Sequence, residues 1–151
     1  AIGQFGFQVT PLQMLRAYGA IANGGIMLTP HFIKNAQTES HDLHLDETHL
    51  KVVQEGMRLS AMEGTARSLG RSDVHIAGKT GTAQIGAGNE FINSWAVGYF
   101  PYEDPKYVFV TLLEHGPRTN LFGSAPTMSR VIEWLVSNRP EYVGIEHAEF
   151  Q

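Results

Sequence analysis

The sequence predicts a layered α/β chain of the α+β kind, with an antiparallel sheet flanked by helices. Three observations carry this. A sharply capped helix opens the chain, with Thr10 ahead of Pro11 and Gln13. Two apolar strand patterns, Ser94 to Phe100 and Tyr107 to Glu114, flank a short polar connection, Pro101-Tyr102-Glu103-Asp104-Pro105, which reads as an antiparallel hairpin. A last helix starts near Ser124, with Pro126 in its first turn. Helices, then antiparallel strands, then a helix returning over the sheet make a layered arrangement.

The first helix is expected from about Pro11 to Asn23. Thr10 is its N-cap, Gln13 closes a capping box, and Val9 with Met14 has the spacing of a hydrophobic staple. Asn23-Gly24-Gly25 ends it. Ala17, Gly19, Ala20 and Ala22 predict close packing against a neighbour. Ile26 to Ile33 reads as a short or edge strand because Pro30 interrupts it. Residues Asn35 to Asp46 read as a polar loop.

A second helix is expected from Glu47 to Met62, capped by Asp46 and stapled by Leu45 with Leu50. Leu50, Val53, Met57 and Ala61 form its predicted buried stripe, and Gly64 stops it. Thr65 to Leu69 fits one further helical turn. His75 to Gln84 is the first of the three strands. The last helix runs to about Asn138, with Met128, Val131, Ile132 and Leu135 inward. Arg139-Pro140 ends it, and fraying is expected beyond Tyr142. Trp95 and Trp134 read as core or half-buried anchors.

Composition bounds the function. The chain has 151 residues, 42% hydrophobic and 17% charged, enough for one folded unit with a real core. A net charge of −4 with scattered Lys and Arg argues against nucleic acid as a partner. The absence of cysteine excludes disulfides and thiolate chemistry. No apolar run approaches the roughly 20 residues that a membrane helix needs, and no signal peptide is visible.

The densest chemical signal is Ala77-Gly78-Lys79-Thr80-Gly81-Thr82-Ala83-Gln84. Lys79 supplies a cation, and Thr80 and Thr82 supply hydroxyls. Gly81 removes a side chain between them, so another backbone can approach. Such a strand can take an extended peptide along its edge, with the ammonium and hydroxyls on the peptide's carboxylate. The Thr82 N–H can stabilise an oxyanion. Strict alternation puts Lys79 and Gly81 on one face and Thr80 and Thr82 on the other. Both pairs reach one cleft only if the strand is twisted and lies at the cleft's edge.

Rival readings of local features are weaker. Gly78-Lys79-Thr80 is not a phosphate-binding loop, because Asp73 stands where a glycine is needed and Gly81 opposes the helix that should follow. His41, His44 and His49 are spaced so that they could share a metal, but a solvated polar loop explains them better. His75 reads as a packed or edge residue, and His115 as loop surface near the cleft rim.

Lys79-Thr80-Gly81 resembles the Lys-Thr-Gly box of penicillin-binding proteins and serine β-lactamases. The flanking residues make the resemblance specific to class B penicillin-binding proteins. They are Ile2-Gly3-Gln4, Val9-Thr10-Pro11-Leu12-Gln13-Met14, Ala17-Tyr18, Ala22-Asn23-Gly24-Gly25, Gly64-Thr65-Ala66, Asn93-Ser94-Trp95, Val97-Gly98-Tyr99, Asp104-Pro105-Lys106-Tyr107 and Ala125-Pro126. They run in order from Ile2 to about Leu135 and look closest to the elongation-type group, penicillin-binding protein 2. Phe5 departs from the family, which usually has Gly directly after Gln4.

The resemblance implies a penicillin-binding protein or serine β-lactamase-like fold, incomplete here. Residues 1–151 would be the C-terminal part of a transpeptidase domain whose upstream part is missing. It implies serine acyl transfer that cross-links peptidoglycan stem peptides and is inhibited by β-lactams, without metal or organic cofactor. In that reading Lys79 supplies positive charge and Thr82 N–H is an oxyanion donor. Thr80, Gly81, Thr82 and Ala83 line the substrate strand. Implied partners are stem peptides, β-lactam antibiotics and cell-wall elongation proteins. The implied location is the periplasmic face of the bacterial inner membrane, with the anchor outside this chain.

Two of the family's three boxes are absent. The nucleophile box is Ser-x-x-Lys, but His31, Thr48, Ile76 and Glu103 stand three positions before Lys34, Lys51, Lys79 and Lys106. Ser40-His41-Asp42 is the one Ser-x-Asp spacing, but the family's second box is expected ahead of these residues, not after the first helix. The chain alone is therefore expected to be inactive, as one piece of a larger protein. The alternatives are a non-catalytic β-lactam sensor or binding module and a β-lactamase-like hydrolase.

Overall fold

A computed structural model describes residues 6–119 and 122–144. The segment Ile2-Gly3-Gln4, Phe5 and the tail from residue 145 onward lie outside the described residues.

Helix α1 spans Pro11–Ala22. Its capping box forms as the sequence predicts: Gln13 N–H donates to Thr10 Oγ1 at 3.2 Å, and Thr10 N–H donates to Gln13 Oε1 at 2.8 Å. Asn23 then clips the following strand, donating from Nδ2 to Ile26 O at 2.8 Å and accepting Ile26 N–H on Oδ1 at 3.0 Å. Gly25, at φ +100°, makes the reversal in a region costly for other residues.

Strand β1 is short, Ile26–Leu28. It pairs with β2, Ser40–Asp42, inside the segment expected to be a loop. No alternation marks Ser40-His41-Asp42, since all three residues are exposed. Backbone pairing alone makes this strand, extended by Thr29 N–H to Glu39 O at 2.9 Å and Leu43 N–H to Gly25 O at 3.0 Å.

Helix α2 spans Glu47–Met62, and Asp46 accepts His49 N–H at 2.9 Å as its cap. Leu50, Met57 and Ala61 are buried, but Val53 is 46% exposed and does not belong to the stripe. At 3.6 residues per turn the first three fall within about 40° of one another, while Val53 lies roughly 60° from Leu50. A 3-10 turn, Arg67–Leu69, follows.

The main sheet has order β3-β4-β5, all antiparallel: β3 Ala77–Ile85, β4 Phe91–Phe100 and β5 Tyr107–Pro117. β4 starts earlier and β5 ends later than the patterns predicted. The register shifts between Ile92 and Ser94, and His115 there takes φ +54° and donates its N–H to Asn93 Oδ1 at 3.0 Å. This bulge breaks the alternation of two, which is why the sequence pattern stopped short. His115 is thus in a strand rather than a loop.

Helix α3 spans Ser124–Asn138. Ala125, Met128 and Ile132 face inward, whereas Val131 and Trp134 are 47% and 56% exposed. Val131 and Trp134 lie off the arc that Ala125, Met128, Ile132 and Leu135 share. Trp134 is therefore not an anchor; Trp95 is half-buried. The turn Pro140–Val143 packs Val143 into the core, against the expected fraying beyond Tyr142.

The sheet is covered on both faces. Ala96, Phe100 and Phe109 pack with Ala125, Met128 and Ile132 of α3 and with Leu69 and Ile76. On the other face Ala77 and Tyr99 pack with Tyr18 and Ile21 of α1, Met57 of α2 and Val108. Ala20 is buried, as the small-residue face of α1 predicts. Gly98 marks the tightest point: a Cβ there would lie 2.2 Å from Ala77 O and 2.8 Å from the Phe109 ring.

Candidate functional site

Strand β3 has one hydrogen-bonded neighbour among the described residues, β4, so its other edge is open. Near it, Gly64 and Gly70 let the chain fold tightly back on the end of α2. A Cβ at Gly64 would lie 2.8 Å from Ser60 Cα, and one at Gly70 2.6 Å from Ala61 O. Arg58 Nη1 donates to Ile76 O at 3.3 Å just ahead of the strand.

A groove of about 450 Å³ runs along β3. Residues 79–85 form one wall, Met14 and Tyr18 of α1 another, and Asn93, Trp95 and Val97 the floor. Phe7, largely exposed, borders it as well. The edge position answers the alternation problem. Lys79 and Gly81 pair with Val97 and Trp95, while Thr80 and Thr82 pair with Ala96 and Ser94 on the opposite face, yet all four border the groove. Ala83 pairs with Asn93 and is half-buried beside them.

Lys79 Nζ donates to Thr80 O at 2.8 Å and lies 3.5 Å from Thr65 Oγ1. Thr65 Oγ1 and Thr80 Oγ1 are hydrogen-bonded at 2.8 Å. These partners are neutral, and Lys79 is the only charged side chain lining the groove among the described residues. An ammonium without a carboxylate partner, beside two hydroxyls, gives the groove a positive field suited to an anionic group. A Cβ on Gly81 would sit 3.5 Å from Trp95 Cβ, an ordinary contact, so internal packing does not demand glycine there. Its bareness keeps the groove open. Burial pushes the Tyr18 hydroxyl above its usual range, so this groove wall stays neutral.

The other histidines stand apart from the groove lining. His75 Nδ1 bonds Glu103 Oε1, and that hydrogen bond holds the Glu103 carboxyl below the usual range. His44 and His49 donate their backbone N–H groups to Asp42 and Asp46. No group of three or more His, Cys, Asp or Glu side chains that could hold a metal occurs among the described residues. Met14, Tyr18, Thr65, Asn93 and Trp95 all lie in segments that carry the family resemblance, but sequence reasoning gave none of them a place in the site. The pairing of β3 with β4 would have placed Asn93 and Trp95 there, whereas the approach of Thr65 to Thr80 is visible only in the fold.

An exposed Lys-Thr-Gly edge strand beside a groove walled by α1 places the fold in the class shared by penicillin-binding proteins and serine β-lactamases. The family described as penicillin binding protein transpeptidase domain matches residues 1–133, and the chain belongs to it. Peptidoglycan D,D-transpeptidase MrdA of Haemophilus influenzae is 30% identical over 167 residues, covering 91% of this chain and 25% of that protein. Penicillin-binding protein H of Bacillus subtilis is 32% identical over 134 residues, covering 72% of this chain and 19% of its own length. The solved penicillin-binding protein 2 of Helicobacter pylori superposes with a TM-score of 0.75 at 33% identity, covering 96% of this chain and 26% of its own. The chain thus spans about a quarter or less of these relatives. No described helix is long and apolar enough to cross a membrane.

Proposed function

We propose that this chain is the C-terminal part of a peptidoglycan D,D-transpeptidase domain and supplies its substrate-gripping strand. The observation that carries the reading is Lys79, with no carboxylate partner among the described residues, on a strand edge that no described strand covers, beside Thr80, Gly81 and Thr82 along a groove. A stem peptide would lie along β3, its backbone passing Gly81 and Ala83. Its terminal carboxylate, or that of a β-lactam, would meet the Thr80 and Thr82 hydroxyls. Lys79 supplies positive charge, and Thr82 N–H donates to the oxyanion of the tetrahedral intermediate.

The serine that attacks the penultimate D-Ala carbonyl, expelling the terminal D-Ala, lies in a Ser-x-x-Lys box that this sequence does not contain. An amine of a neighbouring stem then takes the acyl group. The chain by itself is inactive in this reading. The similarity to penicillin-binding protein 2 supports an elongation role at the periplasmic face of the inner membrane, with the anchor elsewhere in the protein. One related structure is the complex of Helicobacter pylori penicillin-binding protein 2 with MreC, which supports a cell-wall elongation protein as partner.

The test is labelling with fluorescent penicillin. The full-length protein should label covalently, the 151-residue chain should not, and Lys79→Gln should slow labelling of the full-length protein by about 10²-fold. Labelling of the short chain, or none of the full-length protein, sinks the proposal. Labelling without D-Ala release would point to a sensor, and rapid release of hydrolysed penicillin to a hydrolase.

A further inference from the structure

Helix α1 borders a second cavity, of about 320 Å³. Leu15, Arg16 and Gly19 line it from the helix, residues 28–31 from the β1–β2 hairpin, and Val108 from β5. Met14 and Tyr18, which wall the β3 groove, are each turned about 160° from Arg16 around the helix axis. The two hollows therefore lie on different sides of α1.

Arg16 is half-buried in this mostly apolar cavity. Its Nε donates to Leu28 O at 3.0 Å, which holds the guanidinium at the hairpin. The two Nη groups have no hydrogen-bond partner, and the guanidinium no carboxylate, among the described residues. His31 Nε2 and Thr38 Oγ1 are bonded to each other at 3.1 Å, and no Asp or Glu lines the cavity. Just past His31, Phe32 and Ile33 stand exposed.

A partly desolvated cation with unspent donors calls for an acceptor, and a planar guanidinium fits the two oxygens of a carboxylate. The occupant is therefore apolar and carries an acid. A second copy docked through this same face does not supply one. Two-fold pairing sets a patch against itself, and this patch holds a cation and no acid. The relatives point to another source. The chain covers only about a quarter of Haemophilus influenzae MrdA and of Helicobacter pylori penicillin-binding protein 2, so most of such a protein lies outside the match. A tethered segment also has a high effective concentration.

We propose that this cavity seats a segment of the same polypeptide from outside these 151 residues, apolar and bearing an aspartate or glutamate that pairs with Arg16. This rests on the reading above, in which the chain is one part of a larger transpeptidase.

The test uses the full-length protein. Arg16→Lys keeps the charge and places an amine that a water-soluble carbodiimide joins to a carboxylate in contact with it. Peptide mass mapping of the monomer should find the introduced lysine in amide linkage to an Asp or Glu outside the 151 residues. Arg16→Met, with no amine, should melt lower than Arg16→Lys. In the unsubstituted protein, phenylglyoxal should modify Arg16 about tenfold more slowly than Arg139, which is exposed, because a hydrogen-bonded charge pair shields it. This second measurement needs no variant to fold. A link within the 151 residues, a link to a second copy or to another protein, no link at all, or equal reactivity of Arg16 and Arg139 would overturn the inference. Failure of the unsubstituted protein to take penicillin would sink the functional reading instead, and the mapped link still reports on the seat by itself.

Discussion

Ser94 in β4 fastens the start of α3: Ser124 N–H donates to Ser94 Oγ at 3.0 Å, and Ser124 Oγ donates to Ser94 O. The residue before α3 is Gly123, which offers no side-chain cap. A strand residue, directly opposite Thr82, therefore caps a helix thirty positions away in sequence. A Cβ on Gly123 would lie 3.1 Å from Ser94 Oγ, so glycine keeps this approach close.

Ser94→Ala should lower stability by about 1 kcal/mol, the usual cost of losing a helix cap. Thermal unfolding of the intact protein would show it. A midpoint equal to that of the unsubstituted protein would mean that water replaces the cap without loss.

Two glycines of the sheet should respond in opposite ways. At Gly98 an added methyl collides with Ala77 O and the Phe109 ring, so Gly98→Ala should cost about 3 kcal/mol or more by overpacking. At Gly81 the methyl meets only Trp95 Cβ at 3.5 Å, so Gly81→Ala should change stability by less than about 1 kcal/mol. It would instead fill the groove, and penicillin acylation of the full-length protein should fall by about tenfold or more. Denaturant unfolding beside acylation rates separates the two effects.

Arg71 grips Asp73 with two hydrogen bonds, Nε to Oδ1 at 2.8 Å and Nη2 to Oδ2 at 2.6 Å. This hydrogen bonding holds the Asp73 carboxyl below its ordinary value. The folded state then favours the ionised form, so the contribution is fully present above the unfolded value of about 3.9 and is lost as pH falls through the lower folded value. Asp73→Asn should reduce stability at neutral pH and flatten the loss of stability below about pH 4. Parallel acid curves for the two proteins would contradict this.

Removing the first helix's cap tests how far local order supports the groove. Thr10→Ala breaks the capping box and should cost about 1 kcal/mol. Met14 and Tyr18, which wall the groove, sit on that helix, so acylation should weaken with it. Intact acylation despite a lowered melting point would show that the helix holds its place by packing alone.

What the sequence by itself determined is what neighbours along the chain decide. The Thr10 and Asp46 caps, the glycine that turns the chain at Gly25, the Pro126 start of α3 and the Lys79 to Gln84 strand all depend on residues within a few positions. They were legible for that reason. The tertiary structure decided the rest. It chose which three residues of α2 face inward, leaving Val53 outside, and it exposed Val131 and Trp134 on α3. It made β2 from a polar segment, placed the bulge at Glu114 and His115 opposite Asn93, and brought Thr65 to Thr80 and Ser94 to Ser124. Such meetings depend on how separate elements are turned and registered against one another, and packing of the whole core sets that, since no short window of sequence holds both partners.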